Sequence, residues 1–483
     1  MTRPTGEPQV SRAAFWTILI LLTISGAALR FWRLGEPSMW VDELFLVMHV
    51  AEEPGLDEYL RPLAYLPTAI GLELQGIDVD GLSPEGFHQW RDAGIDEATL
   101  RLPSAVIGVL SVLILGWLTQ RLVDRRTALM LTALLAVSTW HLWISQTARF
   151  YVQQILFYNI CLILYYDGTA RRSVRTLLAC ALFFVLAFMT HLTSPMILGV
   201  FAVDAVVRRW LGQGARPGAL GGLLWGVGLL VCAALVGWWY YKSSFTAAGH
   251  SALVIVGGTV LFVGVPVAVL ALGAGLWLWR VDRRLAVFLL ASIAVPVATM
   301  VVLGWLGHPV QTRYVRPSIY GWLLLAAIGL EAIRRTLRDN AGAALAWTPV
   351  LAIIGLGLFN DLAYFTGGYG YRPRWREAFE YVEQHRQPGE RVLADTIPSF
   401  QARYYLRTDE VQEIRYHFSL KDLAPLDRPA WIVMQAMSPT SRGVYTRRIP
   451  PELDLKACYS HRIFQPYSSV HVYYYRPPDP PPR

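Results

Sequence analysis

Long runs of apolar residues occur along the chain from residue 13 to residue 359. Short charged segments separate most of them, and one long segment follows the first run. A run of about 18 uncharged residues matches the thickness of a bilayer core, whereas a soluble helix shows its apolar residues periodically. The pattern predicts an α-helical polytopic membrane protein with about eleven transmembrane helices. Leu177–Met189 and Pro195–Val207 are short for a full crossing. The predicted spans are Ala13–Leu29, Pro103–Gln120, Ala128–Ile144, Val152–Tyr166, Leu177–Met189, Pro195–Val207, Gly218–Trp239, Ala252–Trp279, Leu285–Trp305, Ser318–Ile333 and Ala343–Phe359.

The segments between the runs predict the orientation. Every second loop is rich in arginine, and the N-terminal tail with Arg3 and Arg12 falls in the same set. Short loops rich in Lys and Arg stay cytoplasmic, so we expect a cytoplasmic N-terminus and an extracytoplasmic C-terminus in the cell (plasma or inner) membrane. The loop arginines are Arg121, Arg125 and Arg126; Arg171, Arg172 and Arg175; Arg208, Arg209 and Arg216; Arg280, Arg283 and Arg284; and Arg334, Arg335 and Arg338.

The first run has a second interpretation as a cleaved signal peptide, because small residues follow it at Ser25–Ala28. The alternation of the loops needs this run as a span, which favours the transmembrane interpretation. The long segment 30–101 after it is then an outer loop. Its mixture of Pro, Gly, acids and short apolar stretches, such as Arg61–Leu74, predicts helices that lie on the membrane.

The chain becomes charged after residue 359, which predicts two parts: a membrane domain, 1–359, and a soluble extracytoplasmic α/β domain, 360–483. Trp375–His385 has the apolar spacing of a helix, and Pro388-Gly389 ends it. The Pro-rich end from Arg476 predicts a disordered or polyproline tail. Strands are predicted by β-branched and aromatic content at Arg391–Ala394, Val411–Tyr416, Ala430–Met434 and Val470–Tyr475.

The amino-acid composition agrees with a membrane protein and argues against a nucleic-acid-binding or disulfide-rich protein. Hydrophobic residues make up 54% of the 483 positions, charged residues only 16%, and the mean hydropathy is +0.37. The net charge of +8 comes from the loop arginines, so we expect no nucleic-acid partner. Cys161, Cys180 and Cys232 lie in apolar runs, and Cys458 lies in the tail, so no disulfide framework or zinc spacing is predicted.

Two adjacent acids, Asp42 and Glu43, follow the first span within LRFWRLGEPSMWVDELF (Leu29–Phe45). One interpretation is a solvated acidic pair in a loop. The other is catalytic, because transfer of a sugar to a hydroxyl or amine needs a carboxylate that accepts the proton of the acceptor. A second acid beside it can orient the acceptor or tune the first.

Cations at outer span ends break the loop rule and need their own explanation. Arg149 lies in SQTARFY with Gln146 and Tyr151, Arg313 lies in QTRYVRP, and Lys242 follows the seventh span. An arginine at this depth is either an interface anchor or part of a polar site. Guanidinium groups bind phosphate oxygens in a forked geometry, so the functional interpretation is an anionic lipid headgroup.

Histidines also end spans on this side, at His141 and His191. A lone interfacial histidine is more often structural or acceptor-contacting than catalytic. No cofactor is assigned, and two acids are too few ligands to support a divalent metal.

Taken in order, three stretches of the membrane part resemble bacterial enzymes of the protein O-mannosyltransferase and lipid A aminoarabinose transferase type. They are RFWRLGEPSMWVDE, LRLPSAVIG (Leu100–Gly108) and SQTARFY, followed by RYVRP and the pair Trp375-Arg376. These enzymes have the GT-C fold and use polyprenyl-phosphate sugars. The resemblance covers the membrane part end to end and the tail only in outline.

The resemblance implies roles for individual residues. Asp42 matches the base of the first outer loop, and Glu43 matches a neighbour linked to acceptor handling. Arg149 and Tyr151 match the motif near the carrier phosphate, and Arg313 is a looser match. Gln146, Lys242, His191 and Tyr65 complete the expected substrate-contacting set.

One departure concerns the acceptor side. Relatives show His or Asn before Pro-Pro-Leu-Tyr, whereas this chain has Arg61-Pro62-Leu63-Ala64-Tyr65 and then an unusual stretch at Asp78–Asp96.

The function expected from the resemblance is an inverting transfer of a sugar from a polyprenyl-phosphate carrier to an extracytoplasmic lipid, glycan or protein. Asp42 takes the proton of the acceptor, while Arg149, with Lys242 or Arg313, offsets the charge of the leaving phosphate. Alternatives are a GT-C polymerase or oligosaccharyltransferase, a transporter or lipid flippase, and a membrane scaffold. A transporter would show repeat symmetry and ionisable or broken segments at mid-bilayer.

Overall fold

The computed structural model describes residues 9–51, 61–79, 82, 86–212, 251–308, 310–367, 372–408, 410–414, 428–436, 453–459 and 469–477. The predicted span Gly218–Trp239 and Lys242 lie outside these residues. The first helices are α1 (Arg12–Phe31), α2 (Val41–Ala51), α3 (Leu66–Leu74), α4 (Phe87–Asp92), α5 (Glu97–Thr119), α6 (Arg125–Ala136), α7 (Thr139–Ser145), α8 (Tyr151–Arg171), α9 (Val174–Thr190) and α10 (Met196–Trp210). The later helices are α11 (Ala252–Val263), α12 (Val265–Val281), α13 (Arg283–Trp305), α14 (Ile319–Ala341), α15 (Ala343–Ala346), α16 (Thr348–Thr366), α17 (Trp375–His385) and α18 (Thr396–Leu406).

Polar residues at the loop ends determine where the long helices begin. The side chain of Ser11 accepts a hydrogen bond from the Ala14 amide at 3.1 Å, and Asp124 and Asp282 cap α6 and α13 in the same way. Asp96 and Thr99 cap α5 reciprocally, each side chain bonding to the backbone of the other at 2.8 Å. The charged loops of the sequence therefore also define the boundaries of the apolar helices.

Four helical segments are long and apolar enough to cross a membrane within the described part of the chain, or up to six if each bent pair is one span. The predicted number of about eleven stays a prediction. The four segments are Arg12–Phe31, Glu97–Thr119, Arg283–Trp305 and Ala343–Thr366.

Two runs predicted as continuous spans are broken. Ala128–Ile144 bends by 60° between α6 and α7, and Ala252–Trp279 bends by 98° between α11 and α12. Each run is therefore either one bent span or a segment that turns back within the membrane, and its assignment as a span stays a prediction. The larger bend lies at Gly264, whose φ of 95° is a left-handed conformation that glycine adopts without a steric penalty.

Most of the arginine-rich loops meet at one end of the helical bundle. Ion pairs connect the α5–α6 loop to the ends of α8 and α14, and connect α10 to the start of α13. These contacts place the predicted same-side loops together, as the alternation requires, while the compartment that they face stays a prediction. The pairs are Arg121–Asp167 (3.0 Å), Arg335–Asp124 (3.0 Å) and Arg284–Asp204 (3.1 Å).

The C-terminal segment forms a five-stranded sheet in the order β2-β1-β3-β5-β4. Strand β1 pairs in parallel with β2 and β3, and β5 pairs antiparallel with β3 and β4. The four predicted strands are present, but the sequence did not indicate β4 or helix α18. The strands are β1 (Arg391–Asp395), β2 (Val411–Ile414), β3 (Ala430–Ala436), β4 (Leu453–Tyr459) and β5 (Ser469–Tyr475).

This sheet unit packs on the outer loop through Tyr405 and Arg376. The Tyr405 hydroxyl accepts from the Met39 amide at 2.6 Å and donates to the Glu97 carboxylate at 2.7 Å. Arg376 pairs with the same carboxylate at 2.5 Å and donates to the Gly35 carbonyl at 2.8 Å. The segment that leads from α1 to α2 is therefore held on one side by the sheet unit.

Candidate active site

The two adjacent acids occupy the first turn of α2. Carboxylates are stabilised there because the first amides of a helix have no partner within the helix. The Glu43 carboxylate accepts a hydrogen bond from the Trp40 amide at 2.9 Å, which fixes the start of the helix. The two side chains then point into different surroundings.

Glu43 is completely buried and surrounded by donors. Arg101 donates through Nε at 2.9 Å and through Nη2 at 2.8 Å, Arg372 approaches at 3.4 Å, and the Ala148 amide donates at 2.8 Å. Burial alone raises the pKa of Glu43, but Arg101 and Arg372 outweigh it and lower the pKa to about 2. An acceptor that arrives from solvent does not reach this carboxylate in the present arrangement.

Asp42 is less buried than Glu43, with 16% of its side chain exposed. Arg313 donates to its carboxylate at 2.7 Å, and Arg149 lies 3.8 Å from the same oxygen. Arg149 also donates to the Asp42 backbone carbonyl at 2.9 Å. Burial opposes ionisation, but Arg149 and Arg313 hold the pKa of Asp42 below its usual range. The carboxylate is therefore ionised at neutral pH and can accept a proton.

Four arginines act together on His191, and two of them also contact Asp42. We call them the arginine cluster: Arg61, Arg149, Arg313 and Arg316. All four contribute to the positive potential at His191 and, with burial as the largest cause, lower the pKa of that imidazole well below its usual value. Arg61 and Arg149 both approach the Phe150 ring, at 5.9 and 5.0 Å from its centroid. Together the cluster exceeds the single negative charge of Asp42, an arrangement suited to an anion.

Arg61 and Arg316 were not among the predicted site residues, and Arg316 is the more deeply buried of the two. It is buried between the rings of Trp143 and Tyr151, at 4.6 and 4.4 Å. Its Nε atom, like those of Arg61 and Arg313, has no hydrogen-bond partner among the described residues. The signal was present in RYVRP, because a 3₁₀ helix spans 312–318 and brings residues three positions apart to the same side.

Two of the other predicted site residues, Tyr151 and Tyr65, contact arginines of the cluster. Tyr151 lies in the arginine cluster, with its ring 5.9 Å from that of His191, which in turn lies 5.8 Å from Tyr314. Tyr65 accepts a hydrogen bond from Arg61 at 3.3 Å.

Gln146 lies apart from the cluster and is buried. It donates to the carbonyls of Arg30 and Trp32 at 3.1 and 2.8 Å, and accepts from the Tyr364 hydroxyl at 3.1 Å. These contacts hold the end of α1, so this geometry favours a packing role for Gln146 over substrate contact.

An apolar cavity of about 440 Å³ adjoins the arginine cluster. It lies where the two bent helix pairs face α14 and α16, and Trp143 is shared between this cavity and Arg316. Phe262 stacks on Trp140 and on Trp143, with centroids 5.4 and 5.7 Å apart. The bends in the two predicted spans therefore form an apolar cavity beside the arginine cluster.

Metal ligands do not gather at this site: among the described residues, no three or more His, Cys, Asp or Glu stand together in a way that could hold a metal ion.

Comparison with known proteins shows the fold. No protein-family model matches the chain, and no curated protein matches it by sequence. Apo ArnT from Cupriavidus metallidurans is similar in structure, with a TM-score of 0.53 at 13% identity, covering 96% of this chain and 98% of ArnT. The structure of that protein bound to undecaprenyl phosphate gives a TM-score of 0.50 at 13% identity over the same shares of both chains.

A second similar structure is the archaeal oligosaccharyltransferase AglB from Archaeoglobus fulgidus, in complex with an inhibitory peptide and a dolichol-phosphate. Its TM-score is 0.53 at 10% identity, with 87% of this chain and 69% of that chain covered. The chain therefore has the fold that ArnT and AglB share.

Proposed function

We propose that this chain is an integral membrane glycosyltransferase that moves a sugar from a polyprenyl-phosphate carrier to an extracytoplasmic acceptor. The observation that carries the proposal is the ionised Asp42 within 2.7 Å of Arg313, at a cluster of four arginines that opens beside an apolar cavity. The shared fold with ArnT and AglB supports this choice.

The arginine cluster binds the carrier phosphate in this proposal. Arg149 and Arg313 are held by a single carboxylate, while the Nε atoms of Arg61, Arg313 and Arg316 have no hydrogen-bond partner among the described residues. A phosphate supplies oxygens for these donors, and the ion pairs become stronger as charge develops on the leaving group. The likeness to ArnT bound to undecaprenyl phosphate, and to AglB with dolichol-phosphate, agrees with a carrier of this class.

Asp42 acts as the general base. The acceptor hydroxyl or amine attacks the anomeric carbon, the bond from that carbon to the phosphate oxygen breaks, and the acceptor proton passes to Asp42. Polyprenyl phosphate leaves as an anion and needs no proton, so one carboxylate suffices and the configuration inverts. Because the phosphate draws Arg313 and Arg149 to itself, it frees the Asp42 carboxylate for the acceptor.

Glu43 positions this base rather than contacting the acceptor. Its carboxylate connects Arg101 in α5, the Ala148 amide beside Arg149, and Arg372 of the C-terminal segment. These contacts hold the start of α2 against the motif that carries Arg149. We therefore assign to Glu43 a positioning role in place of the acceptor role that the resemblance implied.

The apolar cavity accepts the first part of the polyprenyl chain. Its aromatic wall of Trp140, Trp143 and Phe262 continues directly from Arg316, so a headgroup on the arginines directs its hydrocarbon towards this wall. The acceptor approaches the exposed part of the Asp42 carboxylate.

The test uses the purified chain in lipid nanodiscs, with native mass spectrometry of bound undecaprenyl phosphate and of undecaprenol, which lacks the phosphate. We expect the phosphate to bind and undecaprenol to bind much more weakly. A hydrogen bond to a charged group contributes about 1.5–3 kcal/mol, so Arg313→Ala should weaken phosphate binding roughly 10- to 100-fold.

Arg33 is the matched control, because it is half-exposed and pairs with Glu36 outside the cluster. Equal binding of the phosphate and of undecaprenol, or unchanged binding in both Arg313→Ala and Arg149→Ala, would remove the support for a carrier phosphate.

A further inference from the structure

A second concavity lies on the C-terminal sheet unit, away from the arginine cluster. It encloses about 560 Å³ between the end of α17 and strands β3, β4 and β5. We call it the aromatic pocket, and its defining residues are Tyr381, His385, Glu390, Trp431, Lys456 and Tyr474. The proposed transfer reaction uses none of them.

Aromatic rings form the wall of this pocket. His385 stacks on Tyr381 with ring centroids 4.1 Å apart. The centroid of the Trp431 ring lies 6.3 Å from that of His385 and 6.1 Å from that of Tyr381. Tyr474 lies 4.8 Å from Trp431 on the neighbouring strand. Four rings from one helix and two strands therefore converge on one concavity.

Glu390 holds the wall in position. Its carboxylate accepts hydrogen bonds from Trp431 Nε1 at 2.8 Å, from the Tyr474 hydroxyl at 2.6 Å and from the Gln387 amide at 2.9 Å. A carboxylate occupied in this way organises the aromatic rings before any molecule binds, which lowers the entropic cost of binding.

The charges of the pocket cancel. Glu390 and Asp454 contribute two carboxylates, and Lys456 and Arg476 contribute two cations. Lys456 pairs with Asp454 and lies 6.0 Å above the Tyr474 ring. A net charge of zero favours an uncharged polar molecule over an anion or a cation.

We propose that the aromatic pocket binds a neutral saccharide unit of the acceptor, which is then a glycan. A sugar ring presents a C–H face that stacks on aromatic rings and hydroxyl groups that bind carboxylate, amide and imidazole groups, and the pocket offers both sets. The identification of the molecule as an acceptor rests on the proposed transferase function.

The geometry agrees with an acceptor that reaches both sites. Helix α17 begins next to Arg372 and Arg376, which anchor it to Glu43 and Glu97 at the membrane part. It ends at His385 in the aromatic pocket, and its 11 residues span about 16 Å at 1.5 Å per residue. A chain of several sugar units bridges a distance of this order.

The experiment measures saccharide binding to the full chain in nanodiscs by saturation-transfer-difference NMR, with empty nanodiscs as the blank. The probes are maltotriose, mannotriose, arabinotriose and chitotriose. At least one should bind the wild-type chain with millimolar or tighter affinity, and His385→Ala and Lys456→Ala should each weaken it at least threefold.

Leu455→Ser is the control, since Leu455 is exposed on the same strand between Asp454 and Lys456 but does not line the pocket. It should bind the probe as the wild type does. If no probe binds the wild-type chain, or if both pocket variants bind as well as the wild type, the saccharide site is wrong.

Asp42→Asn separates this inference from the proposed function. The variant should bind the trisaccharide normally while failing to transfer sugar. Normal transfer by this variant would contradict the assigned catalytic base and would leave the result on the pocket unaffected.

Discussion

Asp42 and Glu43 are neighbours in the chain, yet one carboxylate is partly exposed and the other has no exposed surface. The difference follows from their partners. Glu43 has Arg101 and backbone amides on all sides, and Asp42 shares two arginines with whatever anion enters the cluster. The different partners of these two carboxylates suit the two roles proposed for them, positioning for Glu43 and proton acceptance for Asp42.

Asp42→Asn should reduce transfer by about 10²–10⁴-fold while leaving the fold intact, because it removes only the proton acceptor. Glu43→Gln should act mainly on stability. It leaves Arg101 and Arg372 buried against a neutral group, and breaking a buried pair costs about 3–5 kcal/mol.

Thermal unfolding in detergent and a transfer assay on both variants separate these effects. A stable Glu43→Gln protein with wild-type unfolding temperature would contradict the positioning role.

The pH dependence of kcat/KM reports the ionisation of the free enzyme. Arg149 and Arg313 lower the pKa of Asp42, so activity should be retained as the pH falls to about 4, near the ordinary carboxyl value. Arg313→Gln removes one of these charges and should move the acidic limb to higher pH. The measurement is the initial rate from below the ordinary carboxyl pKa up to pH 7, normalised to the plateau of each variant. Coincident limbs in the two proteins would show that Arg313 does not control this ionisation.

The sequence indicated Arg149 and Arg313 because they break the loop rule of charge placement, and Asp42 because it forms an adjacent acid pair after the first span. It could not find Arg101 or Arg372, which meet Glu43 across 58 and 329 positions of the chain. Contacts between residues so far apart in the chain produce no pattern in the sequence. Arg101 also lies just before a predicted span, where an arginine commonly anchors a helix at the membrane interface.

The hydropathy pattern predicted where helices occur but not where two of the predicted spans bend. Apolar residues continue on both sides of Gly264, since both halves remain in contact with apolar surroundings, and the pattern therefore does not reveal the 98° bend. Only the glycine with Pro266 close behind it indicates a break. The pattern was reliable for the presence of helices and poor for their continuity.

Close packing between helices depends on glycines with no room for a side chain. A Cβ on Gly108 in α5 would lie 2.3 Å from Ser145 Oγ and 3.3 Å from Arg30 Cδ, whereas a Cβ on Gly273 in α12 meets nothing within 4 Å. Gly108→Ala should therefore lower the unfolding temperature clearly, by the roughly 1–3 kcal/mol typical of overpacking. Gly273→Ala should be neutral or slightly stabilising.

Differential scanning fluorimetry in detergent tests both substitutions. Equal unfolding temperatures of the two variants would mean that α5 and α7 move apart freely.

For the molecule as a whole, sidedness is the open structural prediction. Reporter fusions should place the loops at Arg125, Arg172, Arg283 and Arg335 inside the cell and the segment after Asn360 outside. The positive-inside rule gives the direction, and the ion pairs among these loops explain why they must share one side. A cytoplasmic reporter signal from the C-terminal segment would place the proposed site on the wrong face.

The sheet unit was predictable at the level of its class. Four of its strands carry β-branched and aromatic residues, and helix α17 has a clear apolar face. Strand β4, with the sequence LDLKACY, alternates only weakly because most of its side chains face solvent at the sheet edge. The aromatic pocket needed the structure, because its rings come from three separate segments.

The contact of Arg372 with Glu43 has a consequence for biosynthesis. Arg372 donates to the Gln146 carbonyl and the Thr147 hydroxyl at 2.6 Å each. It therefore joins the C-terminal segment to the loop whose Ala148 amide binds Glu43. A nascent chain that has inserted all its helices still lacks this guanidinium. The segment that carries Asp42 and Glu43 therefore reaches this arrangement only after the chain up to Arg372 has been made and has docked. For the proposed transferase, this order means that transfer begins only after Arg372 has docked.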